Sequence, residues 1–203
     1  MGIKAAAGEQ YTIRRKFWKI FGASFFIDNA EGQTVGFCKQ KAFKIREDIR
    51  IFTDETQSKE LLRISTKSIW DISGVYEIFD ADGSKLGAVK RKGIRSTFIR
   101  DEWDMLSPDG AVIGTMKEDS TLKAILRRMH ELVAAFMPQS FHLKDNAGNE
   151  LAVMRQHFNP FLYRLGITIK NPGGPGVDDG PDELLILALA CVVAAIEGRQ
   201  SGG

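Results

Sequence analysis

The residues whose types and spacing could do chemistry are cations set among aromatics. Arg14-Arg15-Lys16-Phe17-Trp18-Lys19-Ile20-Phe21 mixes positive charge with large apolar groups, a mixture that sits well at an anionic membrane surface. Lys39, Lys41, Lys44 and Arg46 form a second cluster, and Lys90, Arg91, Lys92 and Arg95 a third. The candidate lipid-binding residues are Arg14, Arg15, Lys16, Lys19, Lys90, Arg91, Lys92 and Arg95. Each such cation near an anionic leaflet contributes roughly 1 kcal/mol, screened by salt. The competing reading is a solvated rim with the aromatics in the core, because strand alternation would turn half of the first cluster inward.

Acidic residues offer less. Asp178, Asp179, Asp182 and Glu183 could hold a weak cation site, with calcium as the cation, but helix capping and the helix dipole explain them too. Asp80-Ala81-Asp82-Gly83 opens like a calcium loop, yet lacks the closing glutamate and is flanked by strand-like residues, so it reads as a turn. His130, His142 and His157 share no spacing, and no phosphate loop or Gly-x-Ser-x-Gly elbow is present. No catalytic residue, cofactor or small-molecule substrate is therefore expected. A net charge of +2 is too even to announce a nucleic-acid binder. Cys38 and Cys191 read as small core hydrophobes of a reducing, cytoplasmic compartment. Residues 1–10 look like a flexible lead-in with no signal peptide, and Ala6 stands where a myristoylation motif needs Ser or Thr.

The elements that must position these residues are mostly strands. Ile49/Ile51, Leu62/Ile64, Phe141/Leu143 and Tyr163/Leu165/Ile167/Ile169 alternate with polar neighbours, the period of strands with one buried face. Four hairpins share one turn pattern, in which Asp or Asn closes the turn and Gly32, Gly83, Gly110 or Gly148 takes the positive-φ position. A fifth, less regular hairpin turns at 54–58. With one leading and one trailing strand the total is about twelve. Thr121–Met137 has apolar residues at helical spacing and is expected to be an inserted amphipathic helix ended by Pro138.

Leu184 to Ile196 has no polar residue at all. A helix apolar on every side must be buried. Thirteen residues cover about 20 Å, short of the roughly 30 Å of a hydrocarbon core, so protein must surround it. Pro181 at the first helical position and Gly198 as a stop predict a helix over 182–197. Twelve antiparallel strands need to close to remove their edges, and a large barrel can enclose a helix. The expected fold is mainly β: a closed antiparallel barrel around the C-terminal helix, one domain over 11–198, with a flexible tail at 199–203.

D-x-x-G hairpins followed by a terminal apolar helix resemble the tubby-like superfamily, and within it the phospholipid scramblases and LURP-one-related proteins. Tyr11-Thr12-Ile13-Arg14-Arg15-Lys16, Arg100-Asp101-Glu102-Trp103 and Leu187–Glu197 carry the likeness. The resemblance implies a twelve-stranded barrel around a central helix, without catalytic residues. It also implies roles of the phosphoinositide-binding or calcium-linked scrambling kind. The scramblases' proline-rich N-terminal region and palmitoylated cysteines are not present in this chain.

The expected function is peripheral, non-enzymatic binding to anionic phospholipid. One alternative is scrambling with the C-terminal helix in the bilayer. Another is a protein- or nucleic-acid-binding module that uses the same basic surface.

Overall fold

A computed structural model describes residues 5–16, 23–40, 49–66, 74–92, 102–119, 139–157, 162–170 and 182–200. Among them run twelve strands. The first six are β1 (Tyr11–Lys16), β2 (Ala23–Asn29), β3 (Thr34–Gln40), β4 (Ile49–Phe52), β5 (Glu60–Thr66) and β6 (Val75–Asp80). The remainder are β7 (Lys85–Lys92), β8 (Glu102–Leu106), β9 (Val112–Glu118), β10 (Ser140–Asp145), β11 (Glu150–His157) and β12 (Leu162–Ile169). Each pairs antiparallel with the next, and β1 pairs with β12 to close the ring. Closure leaves no unpaired edge.

The ring encloses one helix, α1 (Glu183–Gln200). Leu185 through Ala195 are all buried, and the helix touches β1, β12, β5 and β7, strands on opposite sides of the barrel. The expected architecture is the observed one. The inward faces are the alternating apolar sets: Ile13, Leu62, Ile64, Val89, Leu143 and Leu165 are among the residues that pack with the helix into one core. Cys38 and Cys191 belong to that core as free thiols. Burial pushes the Cys38 thiol up to about 12 and that of Cys191 well above its ordinary value.

The five hairpin turns share a geometry. Gly32, Gly83, Gly110 and Gly148 have φ between 82° and 93°, and each donates its N–H back to the carbonyl three residues earlier. In the irregular fifth hairpin Gln57 takes the same role at φ 59°, donating to the Asp54 carbonyl. A register shift beside each turn absorbs the extra residue as a bulge.

Three expectations shift. The helix begins after Asp182, whose carboxylate accepts the Leu184 N–H at 2.7 Å and so caps the first turn; Pro181 precedes the cap. The backbone stays helical past Gly198 to Gln200. Residues 6–10, expected to be loose, are pinned to the wall: the Gln10 side chain exchanges two hydrogen bonds with the Ile169 backbone, and the Gln10 N–H donates to Ile167. The inserted helix expected over 121–137 lies outside the described residues.

Candidate functional site

Because every strand is antiparallel to its neighbours, the connections alternate between the two ends of the barrel. One end carries the five hairpin turns and the link from β12 into α1. The other carries the connections 17–22, 41–48, 67–74, 93–101, 119–139 and 158–161. The two sets differ in chemistry. The six connections of this second, loop end hold nine aromatic residues, Trp18 and Trp70 among them, whereas the turn-end connections hold none. Lys and Arg number ten at the loop end against two at the turn end; Asp and Glu number six against eight. Glu31, Asp54, Glu55, Asp82 and Asp109 are exposed on the turn end.

The first and third basic clusters both lie at the loop end, since β1 and β7 both finish there. Their strand residues do not meet: β7 is six strands from β1 in either direction around the ring, so Arg14–Lys16 and Lys90–Lys92 lie on opposite sides of the barrel.

Within each cluster the alternation sorts the cations. Arg14 faces outward but is buried: its Nε donates to Asp28 Oδ2 at 2.6 Å, and its guanidinium lies 4.0 Å from the centre of the Phe26 ring. Asp28 is 0% exposed and also accepts the Thr34 hydroxyl at 2.7 Å. A fully desolvated carboxylate needs its cation, so Arg14 is held in the wall by Asp28. Arg15 pairs in register with Phe25 and Tyr163, both core residues, and lies over the Phe25 ring on the inward face. Arg91 does the same on the far side, over the buried Trp103. Neither points outward to a bilayer.

Lys92 faces outward, 2.8 Å from Asp104 and 3.0 Å from Glu102. Hydrogen bonds to Asp104 and then Glu102 raise its pKa, so it remains charged but locally neutralised. Glu102 also meets Lys117 at 3.6 Å. Lys90 is exposed. Lys16 ends β1 and Lys39 is the penultimate residue of β3, both at the loop end, whereas Lys19, Lys41, Lys44, Arg46 and Arg95 lie outside the described residues. Among the described residues, the exposed cations toward the loop end of their strands include Lys90, Lys117 and Arg155.

Of the acidic candidates, Asp178 and Asp179 lie outside the described residues. Asp182 is the helix cap, and Glu183 accepts the Tyr11 hydroxyl. Burial, the hydrogen bond to Glu183 and that residue's charge push the Tyr11 pKa up to about 12. Asp182 thus caps α1, and Glu183 ties it to β1. Among the described residues no group of His, Cys, Asp or Glu converges as a metal site. His130 is not among them. His142 Nδ1 lies 2.6 Å from Glu150, and His157 Nε2 lies 2.5 Å from Glu9. Sequence reasoning missed the Glu9–His157 and Arg14–Asp28 pairs, whose partners belong to different strands or to the lead-in. Alternation could have shown only that Asp28 and Arg14 each sit opposite to an apolar neighbour.

The model of the LURP-one-related proteins matches residues 34–194, most of the barrel and of its central helix. The chain belongs to the LURP-one-related family. An Arabidopsis thaliana protein of known X-ray structure shares the fold of this LURP-one-related chain, with a TM-score of 0.50 and 12% identity over 97% of this chain and 99% of that one. At that identity the likeness speaks for the barrel alone. No curated protein matches. The resemblance to scramblases and tubby proteins has no counterpart in these matches.

Proposed function

We propose that this barrel is a non-enzymatic module that docks peripherally on anionic phospholipid through its loop end. The observation that carries the reading is the segregation of aromatics and cations to the connections at one end. Trp favours the headgroup region and Phe the acyl boundary just beneath it, and Lys and Arg favour an anionic leaflet. The loop end carries four more basic than acidic residues in its connections; at about 1 kcal/mol each this is roughly 4 kcal/mol, near a thousandfold in affinity before screening. The reading therefore rests less on Arg14, Arg15, Arg91 and Lys92, which are paired or turned inward, than on Lys90 and the cations of the connections.

Scrambling with the C-terminal helix in the bilayer finds less support. That helix fills the barrel, and no helix among the described residues is long and apolar enough to cross a membrane. Duplex nucleic acid would use the cations but leave the aromatics without a role.

Vesicle flotation tests the reading. Binding is expected to phosphatidylcholine vesicles containing phosphatidylserine and not to phosphatidylcholine alone. It should weaken steeply with salt and be lost in a Lys19→Glu, Lys41→Glu, Arg95→Glu variant. Binding that ignores lipid charge, or survives those three reversals, overturns it. Duplex DNA that binds without competing with vesicles would favour the nucleic-acid module instead.

A further inference from the structure

The outer wall of β12 carries a notch. Residue 166 is glycine, and the space that its Cβ would fill is taken by the carboxylate of Glu9. Strand register fixes what surrounds it. Gly166 pairs with Thr12 of β1 on one side and with Arg155 of β11 on the other, and the next outward pair toward the loop end is Arg164 with His157. Arg155, Arg164 and His157 thus stand around the Glu9 carboxylate, while Asp28, in register with Thr12, is engaged by Arg14. His157 Nε2 lies 2.5 Å from Glu9 Oε1. The Thr12 hydroxyl is fully buried and, among the described residues, has no hydrogen-bond partner, which a buried hydroxyl rarely lacks. The wall therefore offers one more polar group than the planar carboxylate uses.

Glu9 itself is not part of a strand. It hangs from a turn closed by its own N–H on the Ala6 carbonyl, and Ala7 and Gly8 of that turn are exposed. We propose that the notch is an oxyanion site and that Glu9 is its built-in occupant, displaceable by a carboxylate or phosphate group presented from outside. A glycine floor lets an anion approach the backbone closely, and guanidinium groups match the oxygens of carboxylate and phosphate. A carboxylate reproduces what Glu9 does. A tetrahedral phosphate brings a further oxygen for the Thr12 hydroxyl. Because Glu9 is tethered, it competes at high effective concentration, so the intact chain takes an external anion weakly and the vacated notch takes it well. The site is built from the walls of β1, β11 and β12 and does not depend on membrane docking.

Glu9→Ala vacates the notch. The melting temperature of that full chain is measured at neutral pH in sodium acetate, in sodium phosphate and in sodium chloride of equal ionic strength. The wild-type chain is the reference, since it carries the general effect of each salt on stability with its notch filled. At a dissociation constant of about 10 mM, about 0.1 M anion favours the folded state roughly elevenfold, a rise of about 3–6 °C over chloride. Adding Arg155→Gln and His157→Gln should abolish the gain. Phosphate acting more strongly than acetate, with the difference lost on Thr12→Val, assigns a phosphate group; acetate acting as strongly assigns a carboxylate. Should Glu9→Ala fold in none of the salts, hydrogen exchange on the wild-type chain decides. The Ala6 N–H donates to Glu9 Oε2, and an anion that displaces Glu9 should quicken its exchange severalfold over chloride. A gain no larger than in wild type, a gain that survives the Arg155 and His157 changes, or an Ala6 exchange rate indifferent to the anion overturns the proposal.

Discussion

Glu9 reaches across the outer wall of β12 because residue 166 is glycine. A Cβ placed there would lie 1.9 Å from the Glu9 carboxylate oxygen. That carboxylate is fixed by the Ala6 N–H at 3.1 Å and lies beside His157, so it has little freedom to retreat. Gly166→Ala is expected to cost about 1–3 kcal/mol by overpacking. In a Glu9→Ala background the collision is gone, and the additional cost should fall well below that. Urea denaturation of the four members of the cycle measures the coupling; additive losses would mean that the strap already yields. A second residue-scale effect is acid sensitivity. Hydrogen bonds from Thr56, Ser107 and Asn149 hold the carboxyls of Asp54, Asp109 and Asp145 below their ordinary values. A depressed folded pKa adds stability that is complete above the unfolded value of about 3.9 and is lost as pH falls through the folded value. The melting temperature should therefore be level from neutral pH down to about 5 and drop below about 4. Replacing all three with Asn should flatten that drop, and an unchanged acid profile would place the sensitivity elsewhere.

For the elements, α1 and the strands are stable only together. The helix has no polar face, so in water it would be exposed hydrocarbon, and the ring without it would surround an apolar void. Leu189, 0% exposed in the middle of α1, should show this most directly: Leu189→Ala is expected to cost about 2–5 kcal/mol through lost burial and the cavity left behind. Asp182→Ala, which removes only the cap, should cost about 1 kcal/mol. Equilibrium unfolding with an unchanged denaturant slope would read both as stability losses. A smaller loss at Leu189 than at Asp182 would contradict a helix packed on all sides.

Across the whole molecule, the closed ring turns a linear sequence into an object with two ends. Alternate connections are sorted to opposite poles, and with them the aromatics and the excess of each charge. On the function proposed above, a charge separation along the barrel axis would orient the protein during encounter as well as at contact, steering the loop end toward an anionic leaflet. The salt dependence expected for vesicle binding has this origin. It should weaken as ionic strength rises, while a pair buried in the wall, such as Arg14 with Asp28, is screened much less.

The sequence by itself determined the elements. Alternation in segments such as Leu62-Arg63-Ile64, Gly after Asp or Asn in the turns, and thirteen apolar residues too few for a bilayer are all local signals, legible without neighbours. It also placed the basic clusters at strand ends. Which way each cation faces was decided only in the tertiary structure. Alternation says that Arg14 and Arg15 point to opposite sides, but not which one joins the core; pairing with Phe25 and Tyr163 puts Arg15 inside. The burial of Arg14 against Asp28, and the separation of the first and third clusters by half the ring, depend on register and on closure. Both are long-range, and no local pattern along the chain encodes them.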